Sequence, residues 1–166
     1  FNSTEALFTI NPNDHDEIDM KYLGIGTSCH PIDTAFYLGG LPKIIDCRQY
    51  GEGFSVHPKG SIFVGMGETQ AGVPFTYHSN WGAPGKWNVE IMTKNRRLLF
   101  SPMEKLQQQP LNSFVVEEVP LDYSLDIDYK PGFYCQVAAF LKNKGLATID
   151  EMVVEMELLN NIFNYN

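Results

Sequence analysis

The chain has 166 residues, of which 43% are hydrophobic, and a formal net charge of −8. This length fits one domain with a substantial core, and the sequence has no apolar run of about 18 residues that would predict a transmembrane helix. The acidic balance argues against a nucleic-acid-binding surface, which needs a basic stripe. Three cysteines without CxxC spacing predict neither a disulfide framework nor a zinc site, and they favour a reducing, cytoplasmic location.

The first elements along the chain are a short strand, a loop and a helix. The segment "ALFTI", residues 6–10, predicts a strand. The acidic run at residues 11–19 contains possible metal ligands, but neighbouring residues on one loop rarely converge on one ion, so a solvated loop is expected. A helix is predicted from Pro31 to Leu38, because proline suits the first helical turn and two glycines follow.

The middle of the chain has the pattern of an antiparallel sheet. Segments rich in β-branched and aromatic residues, each bounded by Gly, Pro or Asn, predict strands at residues 43–50, 61–66, 73–81, 87–94, 96–101 and 113–119. Alternation is clearest in the third segment, where Phe75, Tyr77 and Trp81 fall on one face and Thr76 and His78 on the other.

The end of the chain is predicted to be helical. Residues 130–144 place Phe133 and Phe140 on one apolar stripe, with a glycine as the stop. Thr148 and Glu151 have the spacing of a capping box that opens a last helix. Together these elements predict one α+β domain over residues 1–166, with an open, mostly antiparallel sheet of about five or six strands and helices packed on one face.

Two interpretations compete for the segment that begins at Gly24. Gly24 and Gly26 suggest a dinucleotide-binding loop, but that loop needs a third small residue, where Cys29 stands, and a βαβ unit around it. In the second interpretation, His30 lies at the N-terminus of the helix, where the partial positive charge favours a neutral imidazole that can accept a proton. Asp33 then lies in the first turn. A histidine that serves only as a helix cap is the simpler alternative.

Three motifs resemble those of a known family. "CHPIDTAFYLGG" resembles the His-x-x-Asp helix at the start of the C-terminal domain of the glucose–fructose oxidoreductase/inositol dehydrogenase (Gfo/Idh/MocA) family. "NVEIMTKNRRLLF" resembles the family's V-x-x-x-G-T-K-G-x-L hairpin, with Asn95 in place of the turn glycine. Residues 129–163 are similar to its closing pair of helices. The likeness extends from about Tyr22 to Tyr165.

The resemblance implies the substrate-binding and oligomerisation part of an NAD(P)-dependent oxidoreductase that acts on a sugar or cyclitol. It implies that NAD or NADP is bound by an N-terminal Rossmann domain missing from this chain, which itself is expected to hold no cofactor. His30 and Asp33 become the expected catalytic residues. Many members carry Asp four residues before the histidine, where this chain has Gly26. A non-catalytic sheet module for oligomerisation or carbohydrate binding is therefore the alternative.

Further expectations concern the substrate and the assembly. Tyr77, His78, Asn80 and Trp81 are candidate substrate-binding residues, because aromatic rings stack on the C–H faces of sugars and amides hydrogen-bond to hydroxyls. A half-exposed strand without a ligand is the alternative for all four. The face of the sheet away from the helices has no partner within so short a chain, so a homodimer or homotetramer through this face is expected.

Overall fold

The computed structural model describes residues 21–51, 57 and 60–165, and the backbone of residues 2–6. In chain order its elements are β1 (Asn2–Ala6), a π-helical turn (Gly24–Ser28), α1 (Cys29–Gly39), β2 (Pro42–Tyr50), β3 (Ile62–Thr69), β4 (Pro74–Asn80), β5 (Asn88–Met92), β6 (Arg96–Phe100), β7 (Leu106–Pro110), β8 (Glu117–Glu118), α2 (Ser124–Asp128), α3 (Phe133–Lys142) and α4 (Ile149–Phe163). Of the strand predicted at residues 6–10, residues 7–10 lie outside the described residues, as does the acidic run at residues 11–19.

The strands form one sheet in the order β2-β3-β4-β1-β5-β6-β7-β8. β1 joins the half made of β2 to β4 to the half made of β5 to β8, since it pairs parallel with β4 and antiparallel with β5. All other pairings are antiparallel. The predicted open, mostly antiparallel α+β fold is confirmed, although the sheet has eight strands instead of five or six.

One face of the sheet carries the core. Along β4, Phe75 and Tyr77 are buried while Thr76 and His78 are exposed, as the alternation predicts. On the neighbouring strand β3, a Cβ atom at Gly65 would lie 2.2 Å from the ring of Tyr77. Glycine at this position therefore lets the aromatic ring of β4 lie directly on the backbone of β3.

Two of the helices cover this buried face. α1 packs its Phe36 ring edge-on against Phe75 of β4, with 5.0 Å between the ring centroids. The C-terminal half of α4 buries Leu159, Ile162 and Phe163 completely or nearly so. The predicted capping box at the start of α4 is confirmed, because the Thr148 side chain accepts a hydrogen bond from the backbone N–H of Glu151 while the Glu151 carboxylate accepts one from that of Thr148.

The third long helix departs from expectation. α3 ends at Lys142 and is capped by Asn143, which adopts the left-handed conformation with φ 49°, so the helix stops before the predicted Gly145. Its apolar stripe does not join the core, and Phe140 is 70% exposed. The short helix α2 was not predicted. Within the part of the chain that the structure describes, no helix is both long and apolar enough to cross a membrane.

Candidate active site

His30 and Asp33 lie on the first turns of α1, which continues directly from the π-helical turn. The backbone N–H groups of Ile25 and Gly26 both donate to the carbonyl of Tyr22, at 2.9 Å each. Helical backbone therefore precedes His30, and the prediction that it lies at a free helix N-terminus is wrong. The partial positive charge of a helix N-terminus acts only within the terminal turn, so it does not support the earlier argument about His30.

A buried hydrogen bond fixes the junction between the π-helical turn and α1. Ser28 and Trp81 are both fully buried, and the indole Nε1–H of Trp81 donates to the Ser28 hydroxyl at 3.1 Å. Ser28 is two residues before His30, and Trp81 follows the last residue of β4. The backbone that carries His30 is thus attached to the end of a central strand.

The C-terminus of α4 supports the other end of the π-helical turn. The backbone N–H of Gly24 donates to the phenol oxygen of Tyr165 at 2.8 Å. A Cβ atom on Gly24 would lie 2.5 Å from the ring of Phe163, which is itself fully buried. The turn therefore has room only for glycine at position 24, whereas a Cβ atom on Gly26 would have no heavy atom within 4 Å.

These hydrogen bonds test the interpretation of Gly24 and Gly26 as part of a dinucleotide-binding loop. A dinucleotide-binding loop offers its backbone N–H groups to a pyrophosphate after a strand and at the start of a helix. Here Gly24 and Gly26 lie inside a helical turn, and their N–H groups donate to Tyr165 and Tyr22. This segment is not a phosphate cradle.

His30 is exposed at the surface, and an aromatic ring lies next to it. The ring centroids of His30 and Trp87 are 5.1 Å apart, with 51° between the planes. Trp87 is half-buried and directly precedes β5. It was not among the predicted site residues.

Two carboxylates continue the site along α1 and onto α4. Burial raises the pKa of Asp33. The charge of His30 lowers this pKa, but the effect of burial is the larger one. Burial also raises the pKa of Glu155, and the charge of Asp33 raises it further. Asp33 therefore interacts electrostatically with His30 on one side and with Glu155 on the other. Both carboxylates line a cleft of about 740 Å³ between α1 and α4, whose apolar wall includes Phe36 and Val154.

The four predicted substrate residues do not gather around His30. Tyr77 is 5% exposed and Trp81 is 0% exposed, so both belong to the core and offer no ring face to a sugar. His78 is exposed on the opposite face of the sheet from α1. Asn80 accepts a hydrogen bond from the backbone N–H of Gly82, which shapes the loop after β4. The structure thus corrects the prediction for Tyr77 and Trp81. Among the described residues, no group of three His, Cys, Asp or Glu side chains is arranged to hold a metal ion.

Replacement of Gly24 by alanine is expected to destabilise the fold, whereas Gly26→Ala serves as its matched control. The new methyl group at position 24 meets the buried Phe163 ring, and overpacking of this kind costs about 1–3 kcal/mol. At position 26 the space is open, so alanine should leave stability unchanged or slightly raised. Urea denaturation of the two variants would measure the difference. Equal stability of both variants would contradict the described packing of the turn.

Glu155→Gln is expected to stabilise the fold at neutral pH. The raised pKa of Glu155 means that the folded state binds more protons than the unfolded state between the ordinary value of 4.5 and the raised one. Stability therefore falls as the pH rises through this window, and glutamine removes that loss. A gain of about 1–2 °C in Tm is expected at neutral pH, since the side chain remains largely solvated.

The gain should vanish below the ordinary pKa of 4.5, where the native carboxyl is neutral in both states. Glu157→Gln, on the exposed side of the same helix, is the matched control. Thermal melts of the three proteins across this pH range would provide the measurement. A gain of the same size at low and neutral pH would contradict the electrostatic explanation.

Comparison with known proteins gives fold-level matches alone. No protein-family model and no curated protein sequence matches the chain. Solved structures match it over most of its length, among them a dehydrogenase (MviM) from Clostridium difficile, with a TM-score of 0.72 at 15% identity over 99% of this chain and 54% of that one. Levoglucosan dehydrogenase in complex with NADH and levoglucosan gives a TM-score of 0.55 at 15% identity, over 74% of this chain and 39% of that one.

A third match is UDP-N-acetylglucosamine 3-dehydrogenase GnnA from Acidithiobacillus ferrooxidans, with a TM-score of 0.56 at 16% identity over 84% of this chain and 44% of that one. The chain thus spans between about two fifths and a little over half of the length of these three proteins. The chain shares its fold with part of dehydrogenases of the Gfo/Idh/MocA type, in agreement with the resemblance seen in the sequence.

Proposed function

We propose that this chain forms the substrate-binding and oligomerisation part of an NAD(P)-dependent oxidoreductase that acts on a sugar or cyclitol hydroxyl. The observation that carries the proposal is the exposed His30, which lies on α1 directly after the π-helical turn that Trp81 and Tyr165 fix from two sides. The fold supports the same class of protein. Among the structures that share it, levoglucosan dehydrogenase binds NADH and levoglucosan, and GnnA is a dehydrogenase of UDP-N-acetylglucosamine.

The proposed chemistry at His30 is the removal of a proton. Oxidation of a secondary alcohol to a ketone requires the loss of the hydroxyl proton as well as a hydride. An imidazole nitrogen within hydrogen-bond distance of the hydroxyl accepts that proton. Asp33, whose charge attracts that of His30, stabilises the imidazolium that results.

The pyrophosphate of a nicotinamide cofactor does not fit the π-helical turn. Such a pyrophosphate needs unpaired backbone N–H groups at a glycine-rich turn. The N–H groups of Gly24 and Gly26 already have partners in the π-helical turn. In this proposal a separate Rossmann domain binds NAD or NADP and supplies the contacts to the pyrophosphate.

A non-catalytic module for carbohydrate binding or oligomerisation is the second candidate function. It is favoured by Gly26, which stands where many members of the resembling family have an aspartate. Packing does not require glycine at this position, because a Cβ atom would have no heavy atom within 4 Å. A carboxylate four residues before His30 would fit the structure, yet the sequence does not have one.

His30→Ala distinguishes the two functions. In the protein that carries the NAD(P)-binding domain, loss of the base is expected to lower turnover by about two to four orders of magnitude. Folding should be unaffected, since the His30 side chain is exposed. Turnover would be followed by the absorbance of the reduced nicotinamide with a panel of sugars and cyclitols as substrates.

Lys142→Ala, on the exposed helix α3, serves as the control and should leave turnover unchanged. If His30→Ala retains wild-type turnover, His30 is not the base. If the wild-type protein binds a carbohydrate but turns over none of the panel, the non-catalytic module replaces the oxidoreductase.

We also propose that two copies of the chain associate through the outer face of the sheet. This face is opposite to α1 and α4, and Ile44, Met66 and Met92 on it are about 60% exposed. Exposed apolar side chains on a sheet face are stabilised when a second sheet covers them. A homodimer or homotetramer is the expected assembly.

Met66→Glu is expected to weaken this association by at least about tenfold, because two charged side chains would be buried near the contact. Tyr37→Glu, at another exposed apolar position but on α1, is the control and should leave the assembly intact. Light scattering at several protein concentrations would measure both. A monomeric wild-type chain at tens of micromolar would contradict the proposed association.

A further inference from the structure

Trp87 occupies a fixed position beside His30. Its ring centroid is 5.1 Å from that of His30, and its buried part packs against the hydrophobic core. The next residue, Asn88, donates from its side-chain amide to the carbonyl of Lys86 at 3.1 Å and accepts a hydrogen bond from the Ser101 hydroxyl. The backbone on both sides of Trp87 is therefore tied down by local hydrogen bonds.

The two tryptophans of the chain lie at the two ends of the loop between β4 and β5. Trp81, at the start of the loop, donates to Ser28, and Trp87, at its end, contacts His30. Both ends of the loop thus contact the same helical segment, two residues apart. Only Trp87 has part of its ring at the surface, since Trp81 is 0% exposed.

The pairing of a half-exposed indole with an exposed imidazole suits a carbohydrate ring. A sugar presents an apolar C–H face that packs on an aromatic ring and hydroxyl groups that hydrogen-bond to neighbouring polar atoms. We infer that Trp87 forms a carbohydrate-stacking subsite that sets which hydroxyl of the substrate meets His30. This inference rests on the proposed function. Trp87 takes the place of Tyr77 and Trp81 as the aromatic residue that contacts the sugar.

Direct binding tests the subsite without any turnover. The indole N–H resonances of Trp81 and Trp87 would be followed by NMR during titration of the chain with levoglucosan, L-sorbose and UDP-N-acetylglucosamine, and with glycerol as a polyol that has no ring face. We expect at least one carbohydrate to shift the Trp87 resonance saturably while the Trp81 resonance stays in place. Glycerol should shift neither.

Three variants test which property of Trp87 is used. Trp87→Leu keeps an apolar side chain but loses the ring face, and it should weaken carbohydrate binding by about tenfold. Trp87→Phe should retain binding within about threefold. Phe140→Leu removes another exposed aromatic ring, from α3, and should leave binding unchanged.

The results separate the subsite from the proposed function. In the protein with its NAD(P)-binding domain, Trp87→Leu should raise KM about tenfold, whereas His30→Ala lowers kcat. Turnover that depends on His30 but has an unchanged KM in Trp87→Leu would overturn the subsite and leave the oxidoreductase in place. Saturable binding at Trp87 without turnover would support the subsite and contradict the proposed oxidoreductase function. No shift of the Trp87 resonance with any of the three carbohydrates would overturn the subsite.

Discussion

The hydrogen bond between Trp81 and Ser28 is the contact on which the candidate site depends. Both side chains are fully buried, so leaving either polar group without its partner would cost the full desolvation of that group. The bond joins the end of β4 to the start of α1. Because the loop after β4 leads on to Trp87, a single buried contact fixes the helix that carries His30 and the loop that carries its aromatic neighbour.

Around this bond lies an aromatic cluster made of His57, Phe63, Trp81, Phe163 and Tyr165. Ring centroids of neighbouring members are separated by 4.8–6.1 Å, and most pairs are tilted or edge-on, the arrangements that aromatic rings prefer. The cluster brings the last residues of α4 against the π-helical turn, 141 positions apart in the case of Tyr165 and Gly24. The site is thus assembled from residues that are distant in the sequence, and its formation requires long-range contacts.

Local signals in the sequence predicted much of the fold but little of this assembly. Alternation identified both faces of β4, and the spacing of Thr148 and Glu151 identified the start of α4, because each pattern reports an interaction between near neighbours. β7 was missed, since its three successive glutamines show no apolar alternation. The exposure of α3 could not be predicted either, because helical periodicity shows that an apolar stripe exists and does not show what covers it.

The candidate site was only partly predictable for the same reason. The positions of His30 and Asp33 on one helix follow from their spacing. In contrast, the burial of Trp81 depends on Ser28, which lies 53 positions earlier in the chain. Aromatic residues in a half-buried strand suggested a ring face for sugar, yet the larger energetic gain at Trp81 comes from complete burial with a satisfied indole N–H. Trp87 was predicted only as the first residue of a strand, and nothing in the sequence placed it beside His30.

The open space at Gly26 bears on which carboxylates lie near His30. Gly24 is glycine because the Phe163 ring occupies the place of a side chain, but no such contact exists at position 26. The lack of a carboxylate there is a property of the sequence that the fold does not impose. Asp33 is then the neighbouring carboxylate whose charge acts on His30 among the described residues, and Glu155 acts on Asp33 in turn. The carboxyl group of Asp33 has a pKa that burial raises, and it lines the cleft between α1 and α4. A positively charged group entering that cleft would stabilise the charged form of Asp33 and so oppose the effect of burial on its pKa.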